Sequence, residues 1–119
     1  MLNDKDLETF KGVSESEMRS IPELVDLTIK RLEMHGWARG CRAGQDCLFT
    51  AINIITNGSP EQKMMNNAVR DLIPESEWYP SGYDFKPPRP DIIYWNDKPG
   101  RTFDEVKNLL LRVKAKHAG

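Results

Sequence analysis

Trp95-Asn96-Asp97-Lys98-Pro99-Gly100-Arg101-Thr102-Phe103-Asp104-Glu105-Val106 is a bend rich in special residues that runs directly into a capped helix. Asn96 and Asp97 can turn the chain through side-chain to backbone hydrogen bonds, and Pro99-Gly100 is a turn dipeptide. Thr102 followed three residues later by Glu105 reads as a reciprocal capping box, so a helix is expected from Thr102. It should bury Phe103, Val106, Leu110 and Val113 and end in the basic turn Lys114, Lys116 and His117, which suits the negative end of a helix dipole.

Working outward, the same signals recur upstream. Ser20-Ile21-Pro22-Glu23 places an N-cap, a first-turn proline and a capping-box glutamate in order, and predicts a helix to His35 with Gly36 as its stop. Ile21, Leu24, Val25, Thr28 and Leu32 recur at spacings of three and four, which marks one buried face. From Asp46 to Thr56 the chain is apolar almost all round, as expected of a central helix with Asp46 as N-cap and Asn57-Gly58 as its end. Ser59-Pro60-Glu61-Gln62 starts another helix, whose stripe of Met65, Ala68, Val69, Leu72 and Ile73 runs up to Pro74. The short turn between these two predicts a near-antiparallel or sharply bent pair.

The connecting segments differ in character. Gly36, Gly40 and Gly44 punctuate residues 36–46, giving a loop or a small β-hairpin near 37–48. Residues 74–95 hold five prolines and six aromatic residues, among them Trp78, Tyr79, Tyr83 and Phe85. Proline-rich linkers seldom carry so many rings, so this is expected to be a long ordered loop anchored on the domain, with 92–95 extended or forming one helical turn. Residues 1–19 are too sparse in apolar side chains for a sustained face and read as an acidic tail or marginal helix. The expected architecture is therefore mainly α: a compact bundle of about four helices in a single globular domain over residues 20–117.

Composition narrows the function classes. The 119 residues carry a net charge of −1, with three basic and seven acidic groups in residues 1–26 and a mildly basic remainder. That diffuse balance argues against nucleic-acid binding, which needs clustered positive charge; its best surface would be Arg39, Arg42 and the Lys107–Lys116 face. The longest apolar cluster, Cys47–Ile55, contains Asn53 and is about half of the roughly 20 residues needed to span a bilayer. No basic start and apolar run mark a secretory leader, so a cytoplasmic location is expected, with Cys41 and Cys47 reduced.

Gly36-Trp37, then Cys47-Leu48 with Ala51-Ile52, then Trp95-Asn96-Asp97 with Pro99-Gly100-Arg101-Thr102 and Glu105-Val106 together resemble a small uncharacterised domain of actinobacteria and their phages. The resemblance spans about residues 20–115. It implies a phage or bacterial origin and carries no activity. Phe49-Thr50-Ala51 departs from that pattern, which tends to have a glycine before the alanine.

Several residues invite chemistry. Gln45-Asp46-Cys47-Leu48-Phe49-Thr50-Ala51 is similar to the nucleophile segment of ovarian-tumour-type deubiquitinases, where a helix N-terminus lowers the thiol pKa and offers amides to an oxyanion. Gly44-Gln45-Asp46 stands where those enzymes have an Asp-Gly pair, and the only histidines, His35 and His117, lie in no base motif. A buried structural thiol is the preferred reading of Cys47, and a cysteine hydrolase the second. Cys41, Cys47, His35 and His117 match no zinc spacing, and no cofactor motif is present.

Trp95, Asn96, Asp97 and Arg101 read first as architecture: an aromatic core residue, an Asx turn, and Arg101 paired with Asp97 across the turn. Alternatively they form a polar pocket in which Arg101 presents a planar fork to an anion. Trp78 and Tyr79 are candidate partner anchors, Trp37 a candidate core residue, and Met64 and Met65 core filler. With no catalytic constellation, the favoured function is a non-enzymatic protein-binding module acting on a bacterial host protein, with nucleic acid and membrane disfavoured as partners.

Overall fold

The computed structural model describes residues 18–40, 44–80 and 86–118. The readings made above for residues 1–17, Cys41, Arg42, Tyr83 and Phe85 lie outside them.

The described residues form a mainly helical compact globule. Its elements are α1 (Ile21–His35), α2 (Leu48–Thr56), α3 (Pro60–Arg70), a 3-10 turn (Glu75–Glu77), the short α4 (Ile92–Asn96) and α5 (Phe103–His117). Helix α1 packs along α5 and against α2; α2 also contacts α3 and α4, which closes the bundle.

Most helix ends follow from the residues that cap them. Ser20 Oγ accepts from the amide of Glu23 at 3.2 Å, and α1 stops at Gly36, whose φ of 84° an L side chain rarely adopts. Asn57 ends α2 in the left-handed region at φ 50°. Ser59 caps α3, its Oγ accepting from the amide of Glu61 at 3.3 Å. Thr102 and Glu105 form the reciprocal box in full, with Thr102 Oγ1 accepting from the Glu105 amide at 3.2 Å and Glu105 Oε1 accepting from the Thr102 amide at 3.0 Å.

Three expectations need correcting. Helix α2 begins at Leu48 with Cys47, not Asp46, as its N-cap, because the Asp46 carboxylate is drawn sideways to Arg31 Nε at 2.7 Å. Nor is α2 buried all round: Leu48, Ala51, Ile52 and Thr56 face the core, while Ile54 is 44% exposed. In α5 it is Leu109 that joins Val106, Leu110 and Val113 inside, and Phe103 lies half-buried against the core, stacked on Trp37.

Among the described residues of 37–48 no hairpin strands form. Trp37 and Asp46 make one isolated parallel bridge, with Ala38 N donating to Asp46 O and Asp46 N to Gly36 O. Downstream of α3, the Tyr79 and Arg89 backbones exchange hydrogen bonds of 2.7 and 3.0 Å in an isolated antiparallel bridge. Asp91 then caps α4, the single helical turn.

The core is one cluster. Leu24, Val25 and Leu32 of α1 meet Leu48 and Ile52 of α2, Met65 and Val69 of α3, and Val106, Leu109, Leu110 and Val113 of α5. Ile92 and Trp95 enter it from α4. Burying such side chains supplies roughly 1.5–3 kcal/mol each against the entropy of ordering the chain.

Candidate functional site

Asn96 is completely buried at the end of α4, and its amide joins three distant parts of the chain. Its Oδ1 accepts from the Trp37 indole at 2.6 Å and from the Leu48 amide at 3.1 Å; its Nδ2 donates to Ala38 O at 3.1 Å and to Asp97 Oδ1 at 2.9 Å. Asp97 Oδ1 also accepts from the Gly40 amide at 2.7 Å. The Gly-Trp loop, the Cys-Leu helix start and the Trp-Asn-Asp turn, separate in sequence, are thus one hydrogen-bonded unit. Asn96 is a structural hub.

Arg101 lies beside this hub with a different set of partners from those expected. Its guanidinium lies 3.9 Å above the Trp95 ring, and its Nε donates to Trp95 O at 2.9 Å. Nη2 donates to Glu77 Oε2 at 2.7 Å and Nη1 to Glu105 Oε2 at 3.2 Å. The expected pairing with Asp97 is not formed, because Asp97 is held by Gly40 and Asn96 while the 3-10 turn brings Glu77 across. With its side chain only 3% exposed and both carboxylates in place, Arg101 does not offer an open fork to an anion.

Burial pushes the Glu77 carboxyl up, but hydrogen bonds from Arg101 and Lys98 outweigh it and hold the group below its ordinary value. Glu105 is also held low, chiefly by the Thr102 amide.

Between the segment 76–79 and α4 with the turn that follows it lies a cleft of about 400 Å3. Four aromatic residues, Trp78, Tyr79, Tyr94 and Trp95, line it together with Ile93 and the polar side chains of Asp91 and Asp97. Tyr79 and Tyr94 meet edge to face at 4.9 Å, and Trp78 is anchored by its indole donating to Ile73 O at 2.9 Å. Ile93 and Tyr94 are 44% and 42% exposed, an unusual investment of apolar surface on a single helical turn. Among the described residues the buried Trp95 indole N–H finds no acceptor, whereas those of Trp37 and Trp78 donate to Asn96 Oδ1 and Ile73 O.

Of the residues singled out from sequence, Trp78, Tyr79, Trp95, Asp97 and Arg101 therefore converge on this cleft, and Asn96 stands behind it. Sequence reasoning missed Tyr94, Ile93, Asp91 and Glu77. An Asp three residues before Tyr94 was a legible cap signal, but nothing local marked Glu77 as the partner of Arg101.

Cys47 is 2% exposed. Its Sγ accepts from the Thr50 amide at 3.4 Å and lies 3.2 Å from Thr50 Oγ1, so the thiol caps its own helix. His35 and His117 are exposed at the ends of α1 and α5. Among the described residues, no three His, Cys, Asp or Glu side chains gather so as to hold a metal ion. Two basic side chains of α5 pair with acids of α1: Lys107 with Glu33 and Lys114 with Asp26. No helix among the described residues is long and apolar enough to cross a membrane.

A family model described as "Family of unknown function (DUF6197)" matches residues 17–116. The chain belongs to that family. The match covers α1 to α5 and thus the Asn96 hub and the cleft together. No curated protein and no solved structure matches the chain.

Proposed function

We propose that this protein is a non-enzymatic protein-binding module whose contact surface is the aromatic cleft between Trp78 and Tyr94. The observation that carries the reading is the cleft itself: four rings and an exposed isoleucine line a concavity whose base is held by the Arg101–Glu77 pair. Rigid aromatic side chains supply large contact area at low entropic cost, which is why they dominate interface energetics. The wall is preorganised, since Trp78 and Trp95 are fixed by the Ile73 carbonyl and the Arg101 guanidinium. The resemblance to an actinobacterial and phage domain supports a cytoplasmic role as a phage-encoded modulator of a bacterial host protein.

Affinity capture from bacterial lysate with mass spectrometry tests this, repeated with a Trp78→Ala, Tyr79→Ala variant and with an Ile93→Ala, Tyr94→Ala variant. The second pair alters only half-exposed side chains and spares the fold. A partner held by the wild type and lost from both variants supports the reading. A partner retained equally by the folded Ile93→Ala, Tyr94→Ala protein, or no partner at all, overturns it.

A further inference from the structure

The charges around the cleft are unevenly satisfied. Among the described residues its two cations are engaged: Arg101 with Glu77, Glu105 and the Trp95 ring, and Lys98 with Glu77 at 3.1 Å. Glu77 is in turn occupied by both of them. The remaining carboxylates, Asp91 and Asp97, use Oδ1 for the backbone, capping Tyr94 N at 2.8 Å and receiving Gly40 N at 2.7 Å. Among the described residues, the Oδ2 atom of each accepts no hydrogen bond. The cleft thus combines aromatic faces with two half-used, half-exposed negative groups.

Resting on the protein-binding reading above, we propose that the cleft receives an arginine side chain carried on an exposed segment of the partner protein. A guanidinium is planar and weakly hydrated, stacks on aromatic faces and forks onto carboxylates. The fold already uses this geometry twice with its own residues. Arg101 lies 3.9 Å over Trp95, and Arg89 lies 4.6 Å over Tyr79. An incoming arginine meets the same chemistry at Trp78 and Tyr94, with Asp91 and Asp97 as its counter-charges. An ammonium makes the ionic contact but lacks the planar stacking, so lysine is the weaker occupant. A purely apolar side chain leaves the two carboxylates desolvated without return.

The test is titration of the full chain, followed by amide NMR shifts, with blocked Gly-Arg-Gly, Gly-Lys-Gly and Gly-citrulline-Gly peptides. Citrulline keeps the shape of arginine and removes its charge. The arginine peptide is expected to shift the amides of Trp78, Ile93, Tyr94 and Asp97, to bind more tightly than the lysine peptide, and to weaken as salt is raised. Asp91→Asn and Asp97→Asn each keep the Oδ1 acceptor that holds the backbone, so the fold survives while the charge is lost. Each should weaken the arginine peptide about threefold, and the double variant about tenfold, with unchanged melting. Equal binding of the citrulline peptide, undiminished binding by the folded double variant, or no shift at these amides under millimolar arginine peptide would each overturn the proposal. If a captured partner is lost from the Ile93→Ala, Tyr94→Ala variant yet kept by the Asp91→Asn, Asp97→Asn variant, the arginine proposal fails while the protein-binding reading stands.

Discussion

Asn96 can serve Trp37, Leu48 and Ala38 at once because an amide carries both donors and an acceptor on one short, rigid group. In Asn96→Ala, two donors and a carbonyl lose their partner in a site that water does not reach, and a loss of roughly 3 kcal/mol is expected in urea unfolding. Asn96→Asp should not restore it, since the carboxylate keeps the acceptor, loses the donors and faces Asp97. Arg101→Lys is likewise not conservative here: an ammonium cannot stack on Trp95 while reaching Glu77 and Glu105 together. A drop of about 2 kcal/mol is expected, and Arg101→Ala should cost about 3 kcal/mol or more because Glu77 is left partly buried with only exposed Lys98. Unchanged melting of Arg101→Ala would return that residue to the role of a ligand contact.

Helix α5 shows how far local chemistry reaches. Its start is set by Thr102 and Glu105 bonding to each other's backbone, and its end by the basic last turn. Thr102→Ala should cost about 1 kcal/mol in thermal or urea unfolding, and Thr102→Ser very little. Helix α2 shows the limit. Asp46 is intrinsically the better cap, yet the Arg31 side chain from α1 claims it and the weaker acceptor Cys47 takes over. A tertiary ion pair overrode a local preference by one residue, the scale on which helix boundaries are hard to read from sequence. The 3-10 turn is the reverse case: its boundaries matter little, but its placement delivers Glu77 to Arg101.

For the molecule as a whole, the start of the described chain is fastened to the bundle through Arg19. Its backbone amide and Nε donate to Glu61 Oε2 at 2.7 and 2.9 Å, and its Nη2 reaches both Glu61 Oε1 and the Ile55 carbonyl. The Arg19 hydrogen bond is the main cause that holds the Glu61 carboxyl below its ordinary value of 4.5, against the opposing effect of burial. Because the folded state binds this proton less readily than the unfolded one, the clasp stabilises the fold fully above about pH 4.5 and is lost as pH falls through the lower folded value. Urea stability should therefore decline on acidification from pH 5 to pH 3 more steeply in the wild type than in Glu61→Gln, which carries no proton to gain. Equal slopes would show that the clasp contributes nothing.

The starts of α1 and α5, the capping box and the Asn57 stop were legible because each depends on residues within four or five positions of one another. Periodicity likewise announced Leu24, Leu32, Val69 and Val113 as core. The distant partners of Asn96, Arg101 and Glu61 were not legible: Trp37, Ala38 and Leu48 lie 48 to 59 residues from Asn96, Glu77 lies 24 from Arg101 and Arg19 lies 42 from Glu61, and any glutamate or loop amide would have satisfied the same local pattern. Sequence by itself determined where the chain turns and which faces are apolar, since those are short-range properties of backbone and side chain. Only the tertiary structure decided that the Gly-Trp, Cys-Leu and Trp-Asn-Asp segments lock together and that Trp78, Tyr79, Tyr94 and Trp95 line one cleft, because those contacts exist only after the helices have packed.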